Sequence, residues 1–589
     1  MRSYTRTQDE LSALVGLPQN LAVIYLLGDT GAGKTCLVRQ LLGTTGERFP
    51  SVRRVRTTVA PTEFIITKEP IFRAGFLIRP EIEVAQLVAE ILEQAVTTAF
   101  VAMRSNNSVN NLADMLADSS DQRFRLRCFL SERDREEIAR EISTQIVPKL
   151  IIWANANFPN EKDDSTIVSL GLDDVSTEFV DIKNRVMEVI RSRVKAACDC
   201  TVDAAYPATF TFETRNRSDF IQRLKNFLSI DDSSVSPAVE KARVRGNLRS
   251  EIMPPDLELV IVDGEGIGHD TKEARVLSTR HFDYFYNSDA IILVEDSETP
   301  FRAGGKSALA AIEKNGYLPK MTLAFSRLDK VQADKDERNF QIREVEKALR
   351  NVISALREEQ ISIERPNLDV RFLSNMHEEA PDAETCQEIR SLLHLIQQRH
   401  GAVRTRFVAP RYDYELLAGF LAQATAALRQ AWAGYIKGEG NVTPAHWQTQ
   451  KAFTTRMSWK WDEYRYLKPA AELADLLVTN LRSFLFHPID WAEEITESHQ
   501  AECLQTLRGE LSNELIKFAR HELIDQWHPK WDGAANLSGK GSTVPRRQLI
   551  MEIIESSAPD LTGEKARAFK DAIKALIDMA IGRCSAKSS

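Results

Sequence analysis

The stretch Val23 to Leu42 constrains this chain more than any other. An apolar run, Val23 to Leu27, breaks at Gly28, and a helix-compatible stretch begins after Gly33 and stops at Gly43. Between them lies Gly28-Asp29-Thr30-Gly31-Ala32-Gly33-Lys34-Thr35, a full match to G-x-x-x-x-G-K-[ST]. Glycines let the backbone curl so that several N–H groups point at phosphate oxygens. The following helix adds its unpaired N–H groups and its positive end, and Cys36 continues that first turn. Lys34 is expected to reach the β- and γ-phosphates, and the Thr35 hydroxyl to ligate Mg²⁺. A chain with this strand, loop and helix is expected to be α/β, with a doubly wound sheet and its ligand at the carboxyl ends of the strands.

Further segments extend the pattern. Buried strands are expected at Glu63 to Thr67, Leu257 to Val262, Ser288 to Val294, Met321 to Phe325 and Asp369 to Leu373. The third strand-end reads Asp263-Gly264-Glu265-Gly266, a D-x-x-G. There the acidic residue can hold Mg²⁺ and the Gly266 N–H can sense the γ-phosphate. The polar loop before Glu63 offers three threonines that could close over the metal: Thr58 first, then Thr57, with Thr62 possible. Met321 to Phe325 leads into Ser326-Arg327-Leu328-Asp329, where Asp329 could accept two hydrogen bonds from a guanine and Arg327 could stack on the base. Ser374-Asn375 is the candidate loop over the base. Ile267, where a water-orienting glutamine could stand, points to slow turnover. His269 is the candidate for placing water, and Arg54, beside Arg53 and Arg56, is the candidate arginine finger.

The order of phosphate loop, threonine loop, D-x-x-G and x-R-x-D resembles the translation-factor-related class of P-loop GTPases. Gly28 to Thr35 looks like the phosphate loop of dynamin-superfamily and related large GTPases. Thr58-Val59-Ala60-Pro61 is similar to the dynamin threonine loop, which also has a proline three residues on. The resemblance covers residues 21–68 and about 256–375. It implies GTP/GDP and Mg²⁺ as ligands, and self-association or a protein partner reached through helical regions. Glu265 replaces the proline of the dynamin D-x-P-G, and Ser326 and Arg327 depart from the [NT]-K of the base motif. Stalk assembly, membrane binding and fission are therefore not carried over. A P-loop ATPase and a nucleotide-binding scaffold with little hydrolysis stay open as alternatives.

The remainder divides around this core. Residues 1–68 with 254–405 are expected to form the nucleotide domain, 69–253 a mostly helical insertion, and 406–589 a helical domain. The insertion shows apolar residues at helical spacing from Val84 to Ala99, with a short strand possible at Ala208 to Thr214. Seven of the eight tryptophans fall after residue 406, which reads as aromatic core. Thr562 is a candidate cap for the last helix. The net charge of −8 argues against nucleic acid as the main partner. Seven scattered cysteines suit a reducing cytoplasm. The first twenty residues lack the apolar core of a signal peptide, and the best apolar run, Ala95 to Met103, is short for a membrane span.

Overall fold

The structure is a computed structural model that describes residues 4–51, 60–105, 107, 111–118, 124–158, 164–174, 177–231, 234–267, 275–332, 338–402, 405–539, 541–560 and 563–588. The chain is mixed α/β. Its principal strands, in chain order, are β1 (Ala22–Leu27), β2 (Thr62–Ile66), β3 (Phe72–Ile78), β4 (Thr209–Thr214), β5 (Val239–Gly246), β6 (Leu259–Asp263), β7 (Ala290–Asp296), β8 (Met321–Ser326) and β9 (Asp369–Phe372). Two compact units form: Ala22–Gly33 with Gly266–Ser589, called unit 1 here, and Thr5–Leu21 with Lys34–Glu265, called unit 2.

In unit 1 the strands run β1-β7-β8-β9, all parallel, with Ile24 beside Ala290, Ile291 beside Met321 and Thr322 beside Asp369. Helices Ala303–Lys314, Arg338–Glu358 and Ala383–His400 connect or follow these strands. Parallel neighbours need such crossovers, and strands covered on both faces read as unbroken apolar runs, as Ile291 to Val294 do. Among the described residues after 406 helices predominate, with an antiparallel pair of two-residue strands, Pro410–Arg411 with Asp490–Trp491. Trp432 and Trp531 are wholly buried there. Each indole N–H finds an acceptor, Glu472 Oε2 at 2.7 Å and the Leu523 carbonyl at 2.7 Å. Those two tryptophans are core, as their burial tendency predicts.

In unit 2 the strands run β4-β3-β5-β2-β6, with β2 parallel to β5 and the remaining pairs antiparallel. The segment 69–253 is therefore not only a helical insertion: β3 and β5 continue the sheet from β2, and β4 is the edge. Its helices include Glu81–Arg104, Glu132–Glu141 running through a π-turn into Val147–Asn157, and Thr177–Ala197. Glu81–Arg104 is long and apolar enough, by length and composition, to cross a membrane, which exceeds the expectation from Ala95 to Met103 alone. Its stripe Val84, Val88, Ile91, Ala95 and Ala99 is buried inside the unit, the face that helical spacing selects.

The helix Tyr4–Leu14 is tied to the sheet of unit 2 by a buried ionic cluster. Glu63 on β2 pairs with Lys241 and Arg243 on β5, both at 2.7 Å. Arg243 also donates to Ser12 Oγ at 3.0 Å, to the Val15 carbonyl at 3.1 Å and to Gln8. Each of the three guanidinium nitrogens thus has an acceptor in the helix, its C-terminal turn or Glu63. That is the condition under which a buried arginine is tolerated.

Candidate nucleotide site

The loop Gly28–Gly33 leaves β1 in a conformation that its glycines permit. Gly28 has φ +146° and Gly33 φ +96°. A methyl group on Gly28 would overlap the Val294 carbonyl oxygen of β7, and one on Gly33 would lie 2.7 Å from Ser326 Oγ. Both positions thus exclude a side chain twice, by backbone angle and by space. Ser326 Oγ donates to the Ala32 carbonyl at 2.6 Å, which ties the end of β8 to the loop. The Ala32 N–H donates to the Asp29 carbonyl, and the Ile267 N–H donates to the Gly28 carbonyl at 3.2 Å. Gly266 lies against Thr30, so the D-x-x-G glycine and the phosphate loop share a wall.

The base-reading candidates sit at the ends of β8 and β9. Asp329 Oδ1 accepts from the Asn375 N–H at 2.9 Å, and Lys330 Nζ lies 3.1 Å from Oδ2. Partial burial raises the Asp329 carboxyl pKa, but the Asn375 amide and Lys330 outweigh it and hold the group below the usual range. It is a fixed anion at neutral pH. Arg327 adopts φ +57° and sends its guanidinium to Asp296 Oδ2 at 2.7 Å and Glu298 Oε2 at 3.5 Å. Its head is thereby anchored to the acidic end of β7. Ser374 is buried; its N–H donates to Thr385 Oγ1 at 2.9 Å, and its hydroxyl accepts from Arg338 at 2.9 Å. It serves as a structural bolt, and Asn375 is the residue of that loop in touch with Asp329.

In unit 2 the helix Lys34–Leu42 begins at the lysine of the motif. Lys34 and Thr35 are buried, at 6% and 7% exposure, and Asp263 at the end of β6 is 2% exposed. Thr35 and Asp263 line one pocket together with Thr62, Ser51, Ser236, Pro50, Ala60 and an apolar wall that includes Phe64 and Phe227. Antiparallel pairing puts Thr62 directly opposite Asp263. Thr62 Oγ1 donates to the Ala60 carbonyl at 3.1 Å. Of the three threonine candidates it is the one within the described residues. Thr57, Thr58, Arg53, Arg54, Arg56 and His269 all lie outside them. Cys36 is half-buried on the same helix.

The donor set suits a hard cation. A hydroxyl and a carboxylate supply oxygen only, and among the described residues no group of three or more His, Cys, Asp or Glu side chains could hold a metal by itself. Mg²⁺ commonly takes one or two protein oxygens and fills its remaining positions with water and phosphate.

Ser51 and Ser236 were not singled out from sequence, and neither carries a motif that could have marked it. Ser326 was noted only as a departure from the base motif. Its acceptor, the Ala32 carbonyl, lies 294 residues away in sequence, so no local signal marks the bond.

No family model matches the chain, and no curated protein matches it. Two solved structures described as an oligomerised bacterial dynamin pair, providing a mechanism for long-range sensing and tethering of membranes, show a likeness. They are 12% identical, with TM-scores of 0.30 and 0.31, and cover 98% of this chain and 72% and 75% of their own. At that score the functional reading rests on the chain's own residues.

Proposed function

We propose that this chain is a Mg²⁺-dependent GTP-binding and GTP-hydrolysing protein. The observation that carries the reading is the meeting of Thr35, Thr62 and Asp263 in one pocket, Thr35 being the last residue of a complete G-x-x-x-x-G-K-[ST]. Thr35 and Asp263 would hold Mg²⁺, which when bound neutralises charge on the phosphates. Thr58 remains the residue proposed to close over it. Backbone N–H groups of Gly28 to Gly33 would cradle the phosphates, with Cys36 in the turn that follows. Lys34 would pair with the β- and γ-phosphates, and the Gly266 N–H would sense the last of them. Asp329, already fixed as an anion, would accept from guanine. Arg54 and His269 are proposed as finger and water-placing group, and Ile267 predicts a low intrinsic rate.

The helical residues 406–589 are, in this reading, the part on which nucleotide state acts, through self-association or partner binding. The test is single-turnover GTP hydrolysis with Mg²⁺ varied, in wild type, Thr35→Ala and Asp263→Asn. Losing the metal ligands should lower the rate by roughly 100-fold or more, the size seen when charge stabilisation is removed from such sites. Rates unchanged in both variants would refute the assignment.

A further inference from the structure

The phosphate loop carries one acidic side chain, Asp29, in a segment whose proposed ligand is itself strongly anionic. A free carboxylate there would repel phosphate. Asp29 is instead 8% exposed and lies against the start of the helix Ala303–Lys314. The approach is close enough that the helix must offer a bare Cα. A methyl group on Gly304 would overlap Asp29 Oδ1 and come within 2.9 Å of both Asp29 Cγ and Ile267 Cγ2. Asp29 and Ile267 also pair as an isolated parallel bridge, so the same contact reaches the residue just past the D-x-x-G. The next glycine repeats the arrangement with a different acid: a methyl on Gly305 would overlap Glu295 Oε1, while Glu295 Oε2 accepts from the Phe301 N–H at 2.8 Å. Two buried carboxylates thus lie at the positive end of one helix, where a negative charge is favoured.

We propose that Gly304 is a positioning residue for nucleotide binding: its bare Cα gives the Asp29 carboxylate a seat at the helix start and so sets the loop and the Ile267 segment for phosphate. The role rests on the nucleotide reading above. Nothing in the G-x-x-x-x-G-K-[ST] pattern predicts it, because the partner lies about 270 residues downstream of the loop.

The experiment is a titration of full-length chain with a fluorescent GTP analogue and Mg²⁺, in wild type, Gly304→Ala, Asp29→Ala, the double variant and Gly305→Ala, each with a thermal melt. Gly304→Ala should weaken binding roughly tenfold, and the double variant should return to within about twofold of Asp29→Ala alone, a coupling typical of residues in contact. Gly305→Ala meets Glu295, so Asp29→Ala should not rescue it. Gly304→Ala binding as wild type does, or a loss undiminished in the double variant, overturns the role while leaving the nucleotide reading intact. A wild-type chain that binds no GTP overturns both.

Discussion

Replacing Glu63 with Gln should expose how much unit 2 depends on its buried charges. Burial alone would push the Glu63 carboxyl up. Lys241 and Arg243 beside it overcome that and bring it from an ordinary 4.5 to about 2. A folded-state value below the unfolded one adds stability that is fully present above the unfolded value and lost as pH falls towards the folded one. The displacement corresponds to about 3 kcal/mol at pH 7, shrinking to about 2 kcal/mol at pH 3.5. The Gln variant also leaves Lys241 and Arg243 without their counter-charge at 6% and 0% side-chain exposure, and breaking such a buried pair typically costs about 3–5 kcal/mol. The readout is hydrogen exchange of peptides covering β2 and β5, compared with wild type at the same pH. Protection should fall on the order of 100-fold at pH 7, with a smaller gap at pH 3.5. A gap under threefold, or one independent of pH, would refute the reasoning.

Other outcomes follow from the same geometry. Asp329→Asn keeps the shape beside Asn375 but removes the anion, so discrimination of GTP over ATP should fall by at least about tenfold in competition titrations, the worth of a charged hydrogen bond. Glu472 behaves oppositely to Glu63: burial dominates and pushes its carboxyl up to about 7 despite Arg275 and Lys468. A raised acid gives stability below the unfolded value that is lost as pH rises through 7. Glu472→Gln should therefore stabilise the surrounding helices at pH 8 by up to about 3 kcal/mol, with the gain gone by pH 4.5, measured by urea unfolding.

The motifs proposed to hold nucleotide were legible because phosphate binding demands particular residues at fixed spacing. The strands β1, β6, β7 and β8 were legible because their apolar runs are nearly unbroken, while β9, Asp-Val-Arg-Phe, shows only a short polar/apolar alternation. The sheet strands within 69–253 were harder, for a physical reason. β5 reads Val-Glu-Lys-Ala-Arg-Val-Arg-Gly, and its lysine and first arginine, residue types that are mostly exposed, are buried against Glu63. β3 carries Gly75, whose missing side chain makes room for Leu14 and Val15, so a residue that normally weakens a strand is here a packing device. β4 shows the alternation of a half-exposed strand and was anticipated as a possibility. At the site, a single sequence could rank Ser374 for base contact but could not reveal that Arg338 and Thr385 already hold it. Arg327 likewise looked free to stack until Asp296 and Glu298 were placed beside it. Long-range partners of this kind leave no local signal.

The most direct test of the central claim is calorimetric titration of the purified chain with GTP and with ATP, each with Mg²⁺, using Lys34→Ala as the blank. The account predicts Mg²⁺-dependent GTP binding, with ATP at least about tenfold weaker and no heat in the lysine variant. Equal binding of the two nucleotides, ATP binding alone, or GTP binding that survives loss of Lys34 would contradict it.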